Sequence, residues 1–203
     1  MNKDAKCQHG VSLMTGVLNF LIYQLGWFAC VLGAAYHWPW FGTAIALSLV
    51  CIHMMLTTDR PNQARLLFAA LCVGVFVDTL LLILGVYSFP SGSIVEWLPP
   101  VWMSVLWIQF ATTFRYCLSW LSGRYALCSI AALFGAPLAF VGGERLGAVF
   151  LFSPRISNLL ILGVLWAIAL PMLIFISDRI HANAAEPSYL RFSALWRRRG
   201  FTG

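Results

Sequence analysis

Six long apolar runs, separated by short polar or proline-rich connectors, organise the chain. They cover about residues 13–36, 41–57, 66–86, 101–118, 125–141 and 158–176. A bilayer's hydrocarbon core is about 30 Å thick and takes about 20 residues of helix to cross. The runs are continuously apolar, without the alternation of a membrane β-barrel. The pattern therefore predicts an all-α fold: one polytopic membrane domain, a bundle of six transmembrane helices. The connectors carry breakers, as in His37-Trp38-Pro39-Trp40, Asp59-Arg60-Pro61-Asn62, the three-proline stretch 87–100 and Ser122-Gly123-Arg124. Gly142-Gly143 is expected to end the fifth helix. Leu146–Phe152 is apolar but too short to span. It is expected in the interface or dipping into the bundle, with a seventh crossing as the alternative. Pro137 falls inside the fifth run, where neighbouring helices can re-satisfy the freed carbonyl.

Composition strengthens this reading. Of 203 residues, 61% are hydrophobic and only 10% charged, with mean hydropathy +0.82; soluble domains carry about 25% charged residues. The basic segment before the first run resembles a signal peptide, but the run is too long for an ordinary signal core. An uncleaved first helix is the better reading. The six cysteines stand singly, most of them in apolar runs, and read as small buried hydrophobes rather than disulfide or metal pairs.

Charge sets the expected orientation. Six crossings put both termini on one side, together with the 58–65 and 115–124 connectors. That side holds Lys3, Lys6, Arg60, Arg65, Arg115, Arg124, Arg179, Arg191, Arg197, Arg198 and Arg199, against Arg145 and Arg155 opposite. Eleven against two places the N- and C-termini in the cytoplasm by the positive-inside rule. The expected location is a bacterial inner membrane. The basic tails, residues 1–12 and 178–203, are expected to meet anionic lipid headgroups. The net charge of +6 is explained this way without nucleic acid, since no folded basic module is visible.

The candidate chemistry lies in polar residues at membrane depth. Asp78 is the sharpest, because a carboxyl near mid-span costs about 2.5–3.5 kcal/mol on insertion scales. It is placed to relay a proton, to hold a polar headgroup or cation, or to tie helices together. At 1.5 Å per residue it stands about 20 Å beyond Arg65, past mid-depth. Asn19 and Gln24 share the first helix, about 140° apart. Asn19 beside Asp78 would make an interhelical polar pair, worth roughly 0.6–2 kcal/mol. Amides or a folded-back 142–152 segment are the expected partners of Asp78. His53 lies too near the cytoplasmic end and reads as a satisfied interfacial histidine. Glu144 and Arg145 would line the mouth of the bundle if 142–152 folds inward; otherwise they form a solvated turn.

Several chemistries lack their residues. No His-x-x-x-His or His-x-x-Glu spacing supports a metal. No serine elbow, phosphate loop or dinucleotide fingerprint occurs, so no cofactor is expected. Oligomeric state is not legible.

A set of motifs in order carries a family resemblance. They are Asn19-Phe20 with Gln24-Leu25-Gly26-Trp27-Phe28, Asp78, Pro100-x-Trp102, Phe110-Ala111-Thr112-Thr113, and Gly143-x-x-Leu146-Gly147-Ala148-Val149. Over roughly residues 15–150 the chain resembles a bacterial inner-membrane protein family of uncharacterised function. Arg115-Tyr116 stands where that resemblance implies an Asn-His pair, and Ala136-Pro137-Leu138-Ala139-Phe140 where it implies a Gly-Pro-Leu-Ser-Tyr-like stretch. A catalytic role for the Asn-His pair would thus be altered here. The resemblance implies the fold and supplies no activity; a link to lipid modification belongs to it alone. Three expectations remain: a protein that binds or transports a small molecule or lipid, an intramembrane enzyme or accessory subunit acting on lipids, and a structural or assembly protein.

Overall fold

The computed structural model describes the backbone of residues 3–182 and the side chains of residues 13–182. It contains α1 (Lys3–Ala35), α2 (Pro39–Leu56), α3 (Arg60–Ile83), β1 (Tyr87–Ser88), α4 (Val101–Ala111), α5 (Tyr125–Arg145), β2 (Phe150–Leu151) and α6 (Arg155–Ile180). The fold is all-α apart from the two-residue ribbon β1–β2. Five helices are long and apolar enough to cross a membrane: α1 from Leu13, α2, α3, α5 and α6. Each buries only a minority of its residues. Large apolar side chains such as Phe68, Phe76, Phe134 and Leu138 are exposed around the bundle. In water such a surface would aggregate; in hydrocarbon it is ordinary. The apolar helices thus form an integral membrane protein. The basic stretches 1–12 and 183–203 lie outside the residues whose side chains are described.

Helix boundaries follow local chemistry. Proline opens α2 and α3 within their first two positions, where its missing N–H is no loss. Two helices end on glycines in the left-handed region, Gly85 (φ 66°) after α3 and Gly147 (φ 88°) after α5. In each, the next N–H reaches back five residues, Val86 to the Leu81 carbonyl at 3.0 Å and Ala148 to the Gly143 carbonyl at 2.9 Å. This is the Schellman closure. Gly142-Gly143 therefore does not end the fifth helix, as the sequence reading expected; α5 runs on to Arg145. The residues after it neither cross nor re-enter as a helix. Phe150–Leu151 pairs antiparallel with Tyr87–Ser88 and closes one end of the bundle, the ribbon end.

The largest departure is the fourth run. It was expected as one helix to about residue 118, but α4 stops at Ala111, too short to span alone. The cause is visible at Thr112 and Thr113. Their hydroxyls donate to the carbonyls of Gln109 (2.7 Å) and Phe110 (2.6 Å). Their backbone N–H groups choose the same i−3 carbonyls. Such local bonds compete with the helical ladder. Residues 112–118 continue as turns into a short 3-10 helix, Ser119–Leu121.

α3 and α4 form the centre. α4 packs on α1, α2 and α3; α3 also packs on α6, α5 packs on α6, and α1 on α2. The α1–α2 hairpin is close, since a Cβ at Gly42 would sit 2.2 Å from the Ala29 carbonyl oxygen. The α5–α6 pair is close for another reason. Pro137 leaves the Leu133 carbonyl without its helical donor, and that oxygen lies against Gly163, where any Cβ would be 2.6 Å away. At the end opposite the ribbon, Asp178 accepts bonds from Ser122 Oγ (2.6 Å), Gly123 N–H (3.2 Å) and the Tyr125 hydroxyl (3.0 Å). These fix the 122–125 turn to the end of α6.

Candidate functional site

Asp78 is 0% exposed. Its partners are neither amides nor residues 142–152, as the sequence reading expected. The Tyr87 hydroxyl donates to Oδ1 at 2.8 Å and the Trp107 indole N–H to Oδ2 at 2.8 Å. The Gly85 turn makes the first bond possible, because it reverses the chain so that Tyr87 reaches back over α3. Gly74 makes the second possible, because a Cβ there would meet Trp107 Cγ at 2.1 Å. Both aromatic rings are themselves braced. Tyr87 stacks on Phe140 (5.0 Å, 29°) and Trp107 on Trp166 (4.2 Å, 21°). One carboxyl thus ties α3, α4 and the ribbon together, and through stacking it touches α5 and α6.

The other sequence candidates scatter. Asn19 is buried but does not reach Asp78; its amide donates to the Thr112 carbonyl at 3.2 Å. Gln109 donates to the carbonyls of Ile22 (3.2 Å) and Tyr23 (3.5 Å). It fits only because residue 26 is glycine, where a Cβ would be 1.9 Å from Nε2. These two amides pin α1 to α4. Gln24 is half-buried. Glu144 pairs with Arg155 and accepts the Leu151 N–H at 3.2 Å, which secures the ribbon; neighbouring Arg145 is exposed. Glu144 thus serves the ribbon, and Arg145 takes no part in its ion pair. His53 is buried at the opposite end from the ribbon, with its ring 5.3 Å from Tyr116, edge to face. The Tyr116 and Thr57 hydroxyls are 3.0 Å apart. Among the described residues no His/Cys/Asp/Glu group has metal-binding geometry, and the cysteines described are free.

Beside Asp78 lies a feature the sequence reading missed. A cleft of about 300 Å³ lies between α1 and α5, with α4 and α6 also lining it. Its volume sits at the lower end of small-molecule sites, roughly 300–1,000 Å³. One wall carries bulk at helical spacing, Tyr23, Trp27 and Val31. The facing wall of α5 is mostly small, with Phe140 its one large side chain: Ala132, Gly135, Ala136, Ala139 and Gly143 recur at three- and four-residue steps. The space arises from that mismatch. Trp107, which donates to Asp78, and Phe140, which stacks on Tyr87, form part of its lining. The carboxyl therefore stands behind the wall and not in the cleft. The signal in sequence was the Ala/Gly periodicity of 132–143, and the need of buried Tyr and Trp for a polar partner.

The family described as "Protein of unknown function (DUF2878)" matches residues 16–172. No curated protein matches the chain, and no solved structure does.

Proposed function

The chain belongs to that family, and from this premise we propose that it is an integral membrane protein that binds a lipid or apolar small molecule in the lateral cleft. The observation that carries the reading is the cleft itself, mostly apolar and lined by helices long and apolar enough to span. A ligand would arrive by lateral diffusion. Asp78 serves as the strut behind the site. Both its oxygens are taken, so it orients Trp107 and Tyr87 rather than touching the ligand.

The topology proposed with this function has six crossings and cytoplasmic termini, in a bacterial inner membrane. Residues 112–121 support the sixth crossing, since they carry the chain from α4 to the turn held by Asp178 at the far end. The distribution of eleven basic residues against two supports the orientation.

A photoreactive fatty-acyl probe, applied to the full-length protein in membranes, tests the reading. Crosslinks mapped by peptide mass spectrometry are expected to concentrate at Trp27, Gly135 and Ala139. Labelling spread evenly over outward residues such as Phe68 and Leu138 would contradict it.

A further inference from the structure

The cleft runs down to the end of the bundle opposite the ribbon, where Leu118, Trp120 and Leu121 line its foot. Trp120 is 53% exposed there, and tryptophan so placed marks the headgroup level of a bilayer. Arg124 adjoins it: its backbone N–H bonds the Leu121 carbonyl at 2.9 Å, and its side chain is exposed. Among the described residues its guanidinium has no ion-pair partner. The nearby acid, Asp178, accepts bonds from Ser122, Gly123 and Tyr125 and makes no ion pair with Arg124. At the ribbon end the charges close on each other, Glu144 with Arg155. The cleft is thus mostly apolar along its length, with the exposed Arg124 beside its foot and an internal ion pair at its top.

We propose that the occupant is one acyl chain of an anionic phospholipid, lying in the cleft with its phosphate-bearing headgroup at Trp120 and Arg124. This deepens the lateral-cleft reading and rests on it. Size favours a chain over a partner helix. A helix is about 10–12 Å across, whereas the cleft is a strip along α1 and α5 that runs from Leu121 to Gly143. A flexible acyl chain fits a tall, narrow space. Charge selects the headgroup: a basic residue at the membrane surface attracts anionic lipid by a factor of about five.

The test uses the full-length protein released from detergent and titrated with phosphatidylglycerol or phosphatidylcholine of the same chains, read by native mass spectrometry. Phosphatidylglycerol is expected to bind several-fold better. Gly135→Phe fills the cleft at a position where an added Cβ meets nothing within 4 Å; it should weaken both lipids at least tenfold. Arg124→Gln should weaken only phosphatidylglycerol, about fivefold. Equal binding of the two lipids by the wild type would overturn the headgroup assignment, while G135F sensitivity would leave the lateral-cleft reading standing. Unchanged binding in a helical, folded G135F would overturn both. A dimer that G135F abolishes would put a second copy in the cleft and overturn the proposal. Should G135F not fold, lipids brominated along one chain replace it: wild-type tryptophan fluorescence should be quenched more by the brominated phosphatidylglycerol, and equal quenching would overturn the assignment.

Discussion

The Asp78 clamp and the lateral cleft share two residues, Trp107 and Phe140, yet they are built by opposite rules. At the clamp every polar atom of the carboxyl finds a donor, and glycine at position 74 lets the indole close in. In the cleft, mostly small residues on α5 face large ones on α1 and no side chain fills the gap. Lipid offers no water to repair an unpaired polar group, so the first region is complete within the protein. An apolar gap at hydrocarbon depth carries no such penalty when a lipid chain enters it. The difference shows which of the two is available to a ligand. On the proposed reading, the aspartate that stands out most in sequence supports the structure, and the ligand meets a mostly apolar surface.

Breaking the clamp should have the largest effect. Asp78→Ala leaves the Tyr87 hydroxyl and the Trp107 N–H buried without an acceptor, at about 1–3 kcal/mol each. Stability is expected to fall by about 2–6 kcal/mol, read as loss of helicity in a denaturant titration of the purified protein. Gly74→Ala comes next. Its methyl would displace Trp107, and overpacking of this kind costs about 1–3 kcal/mol. Because Trp107 also lines the cleft, this variant should lose ligand as well as stability. Loss of stability with unchanged binding would separate the two regions.

Changes in the cleft should do the reverse. Gly135→Ala adds a methyl into open space within a helix, where alanine is favoured over glycine by about 1 kcal/mol. Unfolding should be unchanged or slightly harder, and crosslinking of an acyl probe should drop. A strongly destabilised G135A would mean that the gap is closed in the folded protein.

The smallest effect is at the end of α6. His181 is buried, with Nδ1 2.9 Å from the Ser177 carbonyl, and burial lowers its pKa from the usual histidine value. The unfolded chain therefore takes up a proton at higher pH than the folded one. Stability from this residue is full above the unfolded value, about 6.5, and is lost as pH falls toward the folded value. Thermal unfolding at pH 7.5 and 5.5 should show this loss, and His181→Gln should reduce it.

Much of the fold was legible because membrane crossing leaves long apolar runs and charged connectors in the sequence. α2 and α6 match their runs to within a few residues. The end of α4 was not legible from hydropathy, since Thr112 and Thr113 sit in an apolar run and act through their hydroxyls. Asp78 was legible as an anomaly, but its partners were not. Tyr87 is brought to it by the Gly85 reversal, and Trp107 arrives from a helix 29 positions away. The cleft was the least legible, because it is an absence assembled from four helices; only the Ala/Gly period in 132–143 hinted at it.

One triple variant distinguishes support from chemistry. Asp78→Leu, Tyr87→Phe and Trp107→Phe together remove the carboxyl and both its donors while keeping an aromatic ring at each wall position. Replacing all partners of a buried hydrogen bond by apolar groups can be nearly neutral. If Asp78 acts only as a strut, the triple variant should recover most of the stability lost in Asp78→Ala. It should also bind acyl probe in the cleft to within about threefold of wild type, which corresponds to less than about 1 kcal/mol. A triple variant that is as stable as wild type yet takes up no probe, while Trp107→Phe alone still does, would show that the carboxyl itself serves the ligand, and would contradict the division between clamp and cleft.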